Sequence, residues 1–419
     1  MASLIEYKKD QSYCNRCSNC KFIPSYRIKS GRPDTLNVCP SITRYGFHAY
    51  SGSGKLEIGY SINDGHTEVC ETTQNVAYKC TLCGACDYHC KVFRKDIDVA
   101  ENIEELRKEC VEAGFIYPEH QAIADSIRQE NNQLRRAAAD RIDWAAGQPV
   151  KRIDKGETGS IYLYAGDEYG YHKKPAERAG AVTALLLSKQ LDLVVSGAAE
   201  PTAADKAFDL GFTETGVEAA KKLAGEVKKS GAQTLVTLDA HAYMAFRWHY
   251  LRNGIDLGVQ VLHITQLIAQ LLQDGLLAPA KEADLKVTYQ DPCTLGRRSE
   301  LFHDDYWGKN KRRRPMELVR TGDLGEYAAP RAILAAIPGL ELIEMNRIKG
   351  WAYCCGNGAG VREVNPDLLV KTSKERVAEA KSTEADVLVT ACPLCEDALA
   401  HAGGMKVIDI LDLVLEYMR

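Results

Sequence analysis

Residues 80–90 read Cys80-Thr81-Leu82-Cys83-Gly84-Ala85-Cys86-Asp87-Tyr88-His89-Cys90, a C-x2-C-x2-C-x3-C run. Two residues between successive cysteines let one loop wrap three corners of an iron–sulfide cube, and thiolate is the ligand such a cube needs. A shorter run lies upstream: Cys14, Cys17 and Cys20 form C-x2-C-x2-C, and a Cys-Pro pair follows at Cys39–Pro40. Where one chain holds two such clusters, the fourth cysteine of each run ligates the other cluster. That rule gives Cys14, Cys17, Cys20 and Cys90 to one 4Fe–4S cubane and Cys39, Cys80, Cys83 and Cys86 to a second. Zinc is the competing reading of C-x2-C pairs, but zinc takes four ligands from two pairs, whereas two triplets plus two single cysteines are an iron–sulfur count. The gap of 18 residues between Cys20 and Cys39, where such a run has about three, leaves Cys70 as a rival to Cys39. Pro40 favours Cys39, and Cys70 and Cys110 otherwise read as structural thiols.

Working outward, the chain has 419 residues, enough for two or three domains that each bury a core. Its 45% hydrophobic and 26% charged residues are ordinary for a globular protein, and a formal net charge of −4 argues against nucleic acid as a bulk partner. The opening residues MASLIEYKKDQSYC contain no apolar core of a secretion signal. The most apolar stretch, Ala179–Ala199, is interrupted by Lys189 and Asp192 and is too polar to span a membrane. The expectation is a cytoplasmic protein whose only membrane association would come through a partner. Fifteen cysteines in such a chain are not a disulfide framework, which belongs to small secreted domains. Nine fall within the first ninety residues and five between Cys293 and Cys395, which is the clustering of metal ligands.

The organisation reads as α/β with an α-helical, two-cluster domain in front. Residues 1–155 comprise a cysteine-dense segment held by metal and not by a large apolar core, followed by charged connecting helices through residues 100–155. From Ser160 apolar runs alternate with helical patterns, which predicts largely parallel sheets. Strands are expected at Ile161–Ala165, Leu191–Ser196, Thr234–Thr237, Val259–His263, Leu285–Tyr289, Leu340–Met345, Asp386–Thr390 and Met405–Ile408, with helices such as Gly216–Ser230 and Leu368–Ser382 between them. An internal repeat divides this region into 156–280 and 281–419: TLVTLDAHAYMAF (Thr234–Phe246) lies over VLVTACPLCEDAL (Val387–Leu399), and IYLYAGD (Ile161–Asp167) over VTYQDPC (Val287–Cys293). Asp167, Asp239 and Ala242 then stand opposite Cys293, Cys392 and Cys395, and Glu200–Asp205 falls about opposite Cys354–Cys355–Gly356. The first copy keeps the pattern and has lost every cysteine. Asp167, Asp239 and His241 are expected to fill the vacated space; a polar substrate pocket is the alternative.

The second copy carries Cys293 in YQDPCTLGR, Cys354–Cys355–Gly356 in WAYCCGNGAG, and Cys392 and Cys395 in TACPLC. Each piece follows a predicted strand, so the five thiols should meet in the crevice at one edge of the sheet. Gly356, Gly358 and Gly360 would let the backbone pass close to a bulky cofactor. Five thiolates exceed the needs of a cubane, or of a zinc ion unless one is a spare. This pattern resembles the cysteine-rich CCG domain of heterodisulfide reductase B and D subunits and of related iron–sulfur subunits of glycolate oxidase and anaerobic glycerol-3-phosphate dehydrogenase. With the ferredoxin-like N-terminus, the whole chain resembles the D-type subunit, a fusion of C and B subunits. The resemblance rests on Asp291–Pro292–Cys293, Leu295–Gly296–Arg297, Pro338–Gly339–Leu340, Cys354–Cys355–Gly356 and Cys392–Pro393–Leu394–Cys395.

The resemblance implies that Cys293, Cys354, Cys355, Cys392 and Cys395 hold one noncubane 4Fe–4S cluster, the catalytic end of a path for thiol–disulfide reduction. Only one such cluster can form, which departs from the paired clusters of the B-type chain. The segment between Cys293 and Cys354 is longer than in the family, and the excess, Asp304–Ala329, carries Lys309, Lys311 and Arg312–Arg314. That run reads as a solvated loop or as a dock for an acidic partner or anionic substrate. No GxGxxG opens a helix after a strand, and Ser51–Gly54 lacks the context of a phosphate loop, so a flavin or nicotinamide would sit in a partner. The partners implied are a flavoprotein and further iron–sulfur or membrane subunits. The alternative function is a non-catalytic conduit in a larger anaerobic complex, of flavoprotein dehydrogenase or benzoyl-CoA reductase type. Three clusters predict about twelve irons per chain in anaerobic iron and acid-labile sulfide analysis; a value near eight would remove the C-terminal cluster, and stoichiometric zinc would favour the zinc reading.

Overall fold

The computed structural model describes residues 3–23, 35–92, 97–304 and 318–419. The N-terminal part is helical, with short helices such as Pro40–Tyr45, Gly52–Asn63 and Ala85–Val92 joined by cysteine-bearing loops. Ser51–Gly54 is a helix start: the Ser51 hydroxyl accepts from the Gly54 amide at 3.1 Å. Two longer helices follow, Val99–Glu112 and Pro118–Glu130. The charged periodicity suggested connecting helices through residues 100–155, but the second helix stops at Glu130 because Asn131 turns left-handed, at φ 54°. Asn132 then holds the chain in a turn, its amide donating to the Glu130 and Arg136 carbonyls at 3.0 and 2.8 Å.

From Lys151 the chain builds two parallel sheets. The strands are β1 (Lys151–Arg152), β2 (Ile161–Tyr164), β3 (Leu193–Val195), β4 (Thr234–Thr237), β5 (Gln260–His263), β6 (Leu285–Gln290), β7 (His303–Asp304), β8 (Leu318–Val319), β9 (Leu340–Leu342), β10 (Val387–Thr390) and β11 (Lys406–Asp409). The first sheet runs β1-β3-β2-β4-β5 and the second β11-β10-β6-β9, while β7 and β8 form a separate antiparallel pair. Strands such as β3 and β10 are buried at every position, as a parallel sheet covered on both faces requires, which is why they read as continuous apolar runs. Apart from β1, the first sheet has the order β3-β2-β4-β5 and the second β9-β6-β10-β11. Corresponding strands of the two halves therefore occupy corresponding places, and the α/β region is duplicated. Every strand expected from the sequence is present within a few residues of its expected bounds; β1, β7 and β8, each two residues long, were not anticipated.

The helical part and both halves meet at one buried side chain. Arg107, in the helix Val99–Glu112, is fully buried. Its guanidinium donates to the carbonyls of Ala77 (3.1 and 3.2 Å) and Cys80 (2.6 Å), of Asp209 in the first half (2.7 Å) and of Ala359 in the second (3.0 Å). The backbone around it is equally close: a Cβ on Gly358 would lie 2.5 Å from the Thr81 carbonyl oxygen. Gly356 and Gly360 likewise make room for Leu369 and for Leu210 and His120, so these glycines admit the chain's own atoms, where the sequence suggested a cofactor. Replacing Arg107 with Met should leave several buried carbonyls without donors and cost on the order of 3 kcal/mol in chemical denaturation. Arg107→Lys should recover only part of this, because one ammonium group cannot reach four carbonyls on three segments.

Candidate iron–sulfur sites

Cys39, Cys80, Cys83 and Cys86 line one small cavity, together with Lys55, Leu82 and Ile103. Cys39 caps the helix Pro40–Tyr45, whose first residue is the proline of the Cys-Pro pair. The Cys80–Cys86 loop winds through left-handed residues at Leu82 and Gly84 before entering the helix Ala85–Val92. Gly52 lets the neighbouring helix approach, since a Cβ there would lie 3.0 Å from that of Cys86. Burial pushes the Cys39 thiol up to about 12 and raises Cys86 as well. A metal offsets that penalty, because it stabilises the thiolate that burial disfavours. Cys90, further along the same helix, belongs to a second group: burial raises its thiol, and the charges of Cys20, Cys14 and Cys17 raise it further. Cys17 is the exposed member of this outer group. Cys70 joins neither group. It is exposed and caps the helix Glu71–Tyr78, its thiol drawn down by the Thr73 hydroxyl. Cys110 is buried in the apolar core with Tyr78 and Leu106.

The five C-terminal cysteines converge. Strands β6 and β10 are parallel neighbours, so the loops that leave them, with Cys293 and Cys392, emerge at the same edge. Cys392 caps the helix Pro393–Ala402, which carries Cys395 in its first turn. Asp291 sets the first loop against the CCG segment: it takes two hydrogen bonds from Arg331 (2.8 and 2.9 Å) and one from the Lys349 amide (2.8 Å). Asn357 ties the CCG loop to the last one through the Leu394 carbonyl at 3.2 Å. Cys354 shares hydrogen bonds with Cys293 and Cys355, Cys355 with Cys395, and Cys395 with Cys392. The chain of contacts continues out of the domain, because Cys354 also shares one with Cys83 of the inner N-terminal group. Hydrogen bonds from Cys354 hold Cys83 and, with Cys395, Cys355 well below the usual thiol value, while Cys354 and Cys395 are raised as their donors. All but Cys293 are buried. Soft thiolates packed this closely suit an iron–sulfur group.

The cysteine-free half contributes to the same place. His241 sits beside Cys392, its Nδ1 3.7 Å from the sulfur and 3.7 Å from an Asp239 carboxylate oxygen. The position equivalent to the cluster is filled, as expected, but by a residue whose sequence context gave no sign of it. Arg141 places its guanidinium 2.9 Å from Asp167 and 2.7 Å from Glu200, all three buried. Asp167 also accepts from the Gln133 amide and the Thr202 hydroxyl, and Glu200 from the Ala165 and Gly166 amides. Arg141 lies in the irregular segment after Asn131, where no local pattern signals a buried side chain. Most of the basic insertion, including Lys309, Lys311 and Arg312–Arg314, lies outside the described residues.

Comparison with known proteins fits this geometry. Residues 10–93 match the 4Fe-4S dicluster domain and residues 287–400 the cysteine-rich CCG domain. The D chain of dihydromethanophenazine:CoB–CoM heterodisulfide reductase from Methanosarcina barkeri is 28% identical over 414 residues, spanning 96% of this chain and 93% of that one. Along nearly its whole length the chain is similar to the heterodisulfide reductase D subunits, and it carries both the dicluster and the CCG domain. More distant relatives cover part of their own length: EtfAB:quinone oxidoreductase of Syntrophomonas wolfei is 24% identical, over 82% of this chain and 46% of that one. The B chain of the CoM/CoB fumarate reductase of Methanothermobacter marburgensis is 25% identical, over 80% and 60%. A hypothetical protein from Helicobacter pylori shares the fold, with a TM-score of 0.53 over 87% of this chain and 67% of that one at 8% identity. The chain is thus an iron–sulfur oxidoreductase subunit related to heterodisulfide reductase D, and no helix among its described residues is long and apolar enough to cross a membrane.

One buried acid beside the site gives a pH test. Asp205 accepts from the Gln133 amide at 2.7 Å through one oxygen, while the other has no partner, and burial raises its carboxyl. A carboxyl raised on folding supplies stability below the ordinary carboxylate range that is lost as pH rises through its folded value. Asp205→Asn keeps the neutral shape, so its thermal stability should gain on the parent as pH rises from 4 to 8. A constant difference would show that Asp205 stays charged.

Proposed function

We propose that this chain is the component of a redox complex that accepts single electrons at its N-terminal cysteines and delivers them to the C-terminal five-cysteine site for thiol–disulfide-type reduction. Cys14, Cys17, Cys20 and Cys90 would hold an outer 4Fe–4S cubane and Cys39, Cys80, Cys83 and Cys86 an inner one. Cys293, Cys354, Cys355, Cys392 and Cys395 would hold a noncubane 4Fe–4S cluster. Residues 1–155, 156–280 and 281–419 are then the two-cluster unit, the cysteine-free repeat and the CCG unit. When bound, these groups supply one-electron redox chemistry, whereas a disulfide needs two electrons and two protons to become two thiols. The observation that carries the reading is the contact between Cys83 and Cys354, which links the inner group to the C-terminal one without an intervening residue. The electron source would be a partner, a flavoprotein or another iron–sulfur or membrane subunit, and the complex would be cytoplasmic or held at a membrane by that partner.

The burial of every C-terminal thiol except Cys293 favours a second reading, in which the site only relays electrons to another protein of the complex. Cys355→Ser separates the two. It should abolish the C-terminal EPR signal while dithionite still reduces the N-terminal groups, and turnover of the complex with a disulfide substrate should collapse. Cys86→Ser should do the reverse, cutting electron supply while the C-terminal group still assembles. Unchanged turnover after loss of the C-terminal signal would place the chemistry in another protein of the complex.

A further inference from the structure

Between the inner N-terminal cysteines and the C-terminal ones lies a buried cation with no carboxylate partner among the described residues. Arg297 is 5% exposed. Its Nε donates to the Cys83 carbonyl at 2.6 Å, and its Nη1 to the carbonyls of Gly350 (3.1 Å) and Ala352 (2.8 Å). Its Nη2 has no hydrogen-bond partner among the described residues. The groups whose charges act on it most are the Cys83 and Cys293 thiols, the Tyr327 phenol and the Cys354 thiol. The adjacent Arg298 shows the ordinary arrangement: it is equally buried and forms ion pairs with Glu104 and Asp209. A buried guanidinium costs several kcal/mol unless an anion faces it. For Arg297 the available anions are thiolates from two different groups.

We propose that Arg297 is a positioning charge shared by the inner N-terminal group and the C-terminal site, raising the reduction potential of both. The proposal rests on the cluster assignments above. Each electron added to an iron–sulfur group adds a negative charge, and a fixed cation close by in a low-dielectric interior stabilises the reduced form. Net charge and hydrogen bonding around the sulfurs are the levers by which a protein sets such potentials. Arg297 touches both loops, so both groups should move together and the step between them should change little. Among the described residues, no such cation bridges the outer group, at Cys14, Cys17, Cys20 and Cys90, to the C-terminal site. The drop from outer to inner is therefore where Arg297 acts, drawing electrons inward.

The test is an EPR-monitored redox titration of the anaerobically loaded full chain carrying Arg297→Met, Arg297→Gln or Arg297→Lys, each with its iron content measured. In Arg297→Met the inner and C-terminal signals should titrate lower, with a reduced-to-oxidised ratio at fixed potential at least tenfold smaller, or about 59 mV for a one-electron couple. The outer signal should stay in place as an internal control. Arg297→Lys, which keeps the charge and loses the forked carbonyl bonds, should recover most of the shift, whereas the neutral Arg297→Gln should not. Unmoved potentials in fully loaded Met or Gln protein would overturn the proposal. So would a Lys variant that titrates like Met, since the role would then be packing. If Arg297→Met fails to load iron, the Lys and Gln pair decides the matter. A parent chain with about eight irons would remove the C-terminal cluster and with it the function proposed above; the inner signal alone would still decide whether Arg297 sets a potential.

Discussion

Two guanidiniums hold the junction on which the rest of the molecule depends. Arg107 joins the Cys80 carbonyl to that of Ala359, and Arg297 joins the Cys83 carbonyl to that of Ala352. The Cys80–Cys86 loop is thereby clamped to both ends of the segment that contains Cys354 and Cys355. Carbonyls, not carboxylates, accept these bonds, so the clamp uses backbone that no side-chain change can remove. Arginine suits the task because its planar fork can satisfy several acceptors at fixed angles, which an ammonium cannot. The glycine at position 358 completes the fit by leaving space for the Thr81 carbonyl. The contact between Cys83 and Cys354 is the result.

The duplicated α/β halves solve one electrostatic problem in two ways. Both gather potential anions at the carboxyl ends of parallel strands. In the second half these are thiols, which share hydrogen bonds in a line from Cys354 through Cys355 and Cys395 to Cys392. In the first they are Asp167 and Glu200, and the compensating cation is Arg141, part of the chain itself. Beside the thiols of the second half the chain places Arg297 and His241. Having lost the cysteines, the first half still reaches across, with His241 against Cys392.

How much of this was legible in the sequence follows from the range of each interaction. The strands were readable because parallel strands buried on both faces must be continuous apolar runs. The repeat was readable because strand order and turn positions survive the loss of ligands. The grouping of the N-terminal cysteines followed from spacing, and the cavity shared by Cys39, Cys80, Cys83 and Cys86 accords with it. Arg107, Arg141 and Arg297 gave no such signal as buried clamps. A lone arginine in a charged helix or loop looks solvated, and its burial depends on carbonyls far away in the chain. The end of the helix at Glu130 was missed for a local reason: Asn131 turns left-handed, and Asn132 overrides a helical charge pattern by bonding to the neighbouring backbone of Glu130 and Arg136.

The long reach of Arg107 also imposes an order on biosynthesis. Its bond to Ala359 spans 252 positions. At roughly 5–20 residues per second, tens of seconds separate the emergence of the two residues from the ribosome. During that interval the Cys80 loop has been made while the segment that will cover it has not. The Cys80 loop is thus synthesised well before the Ala359 segment that packs over it in the folded chain.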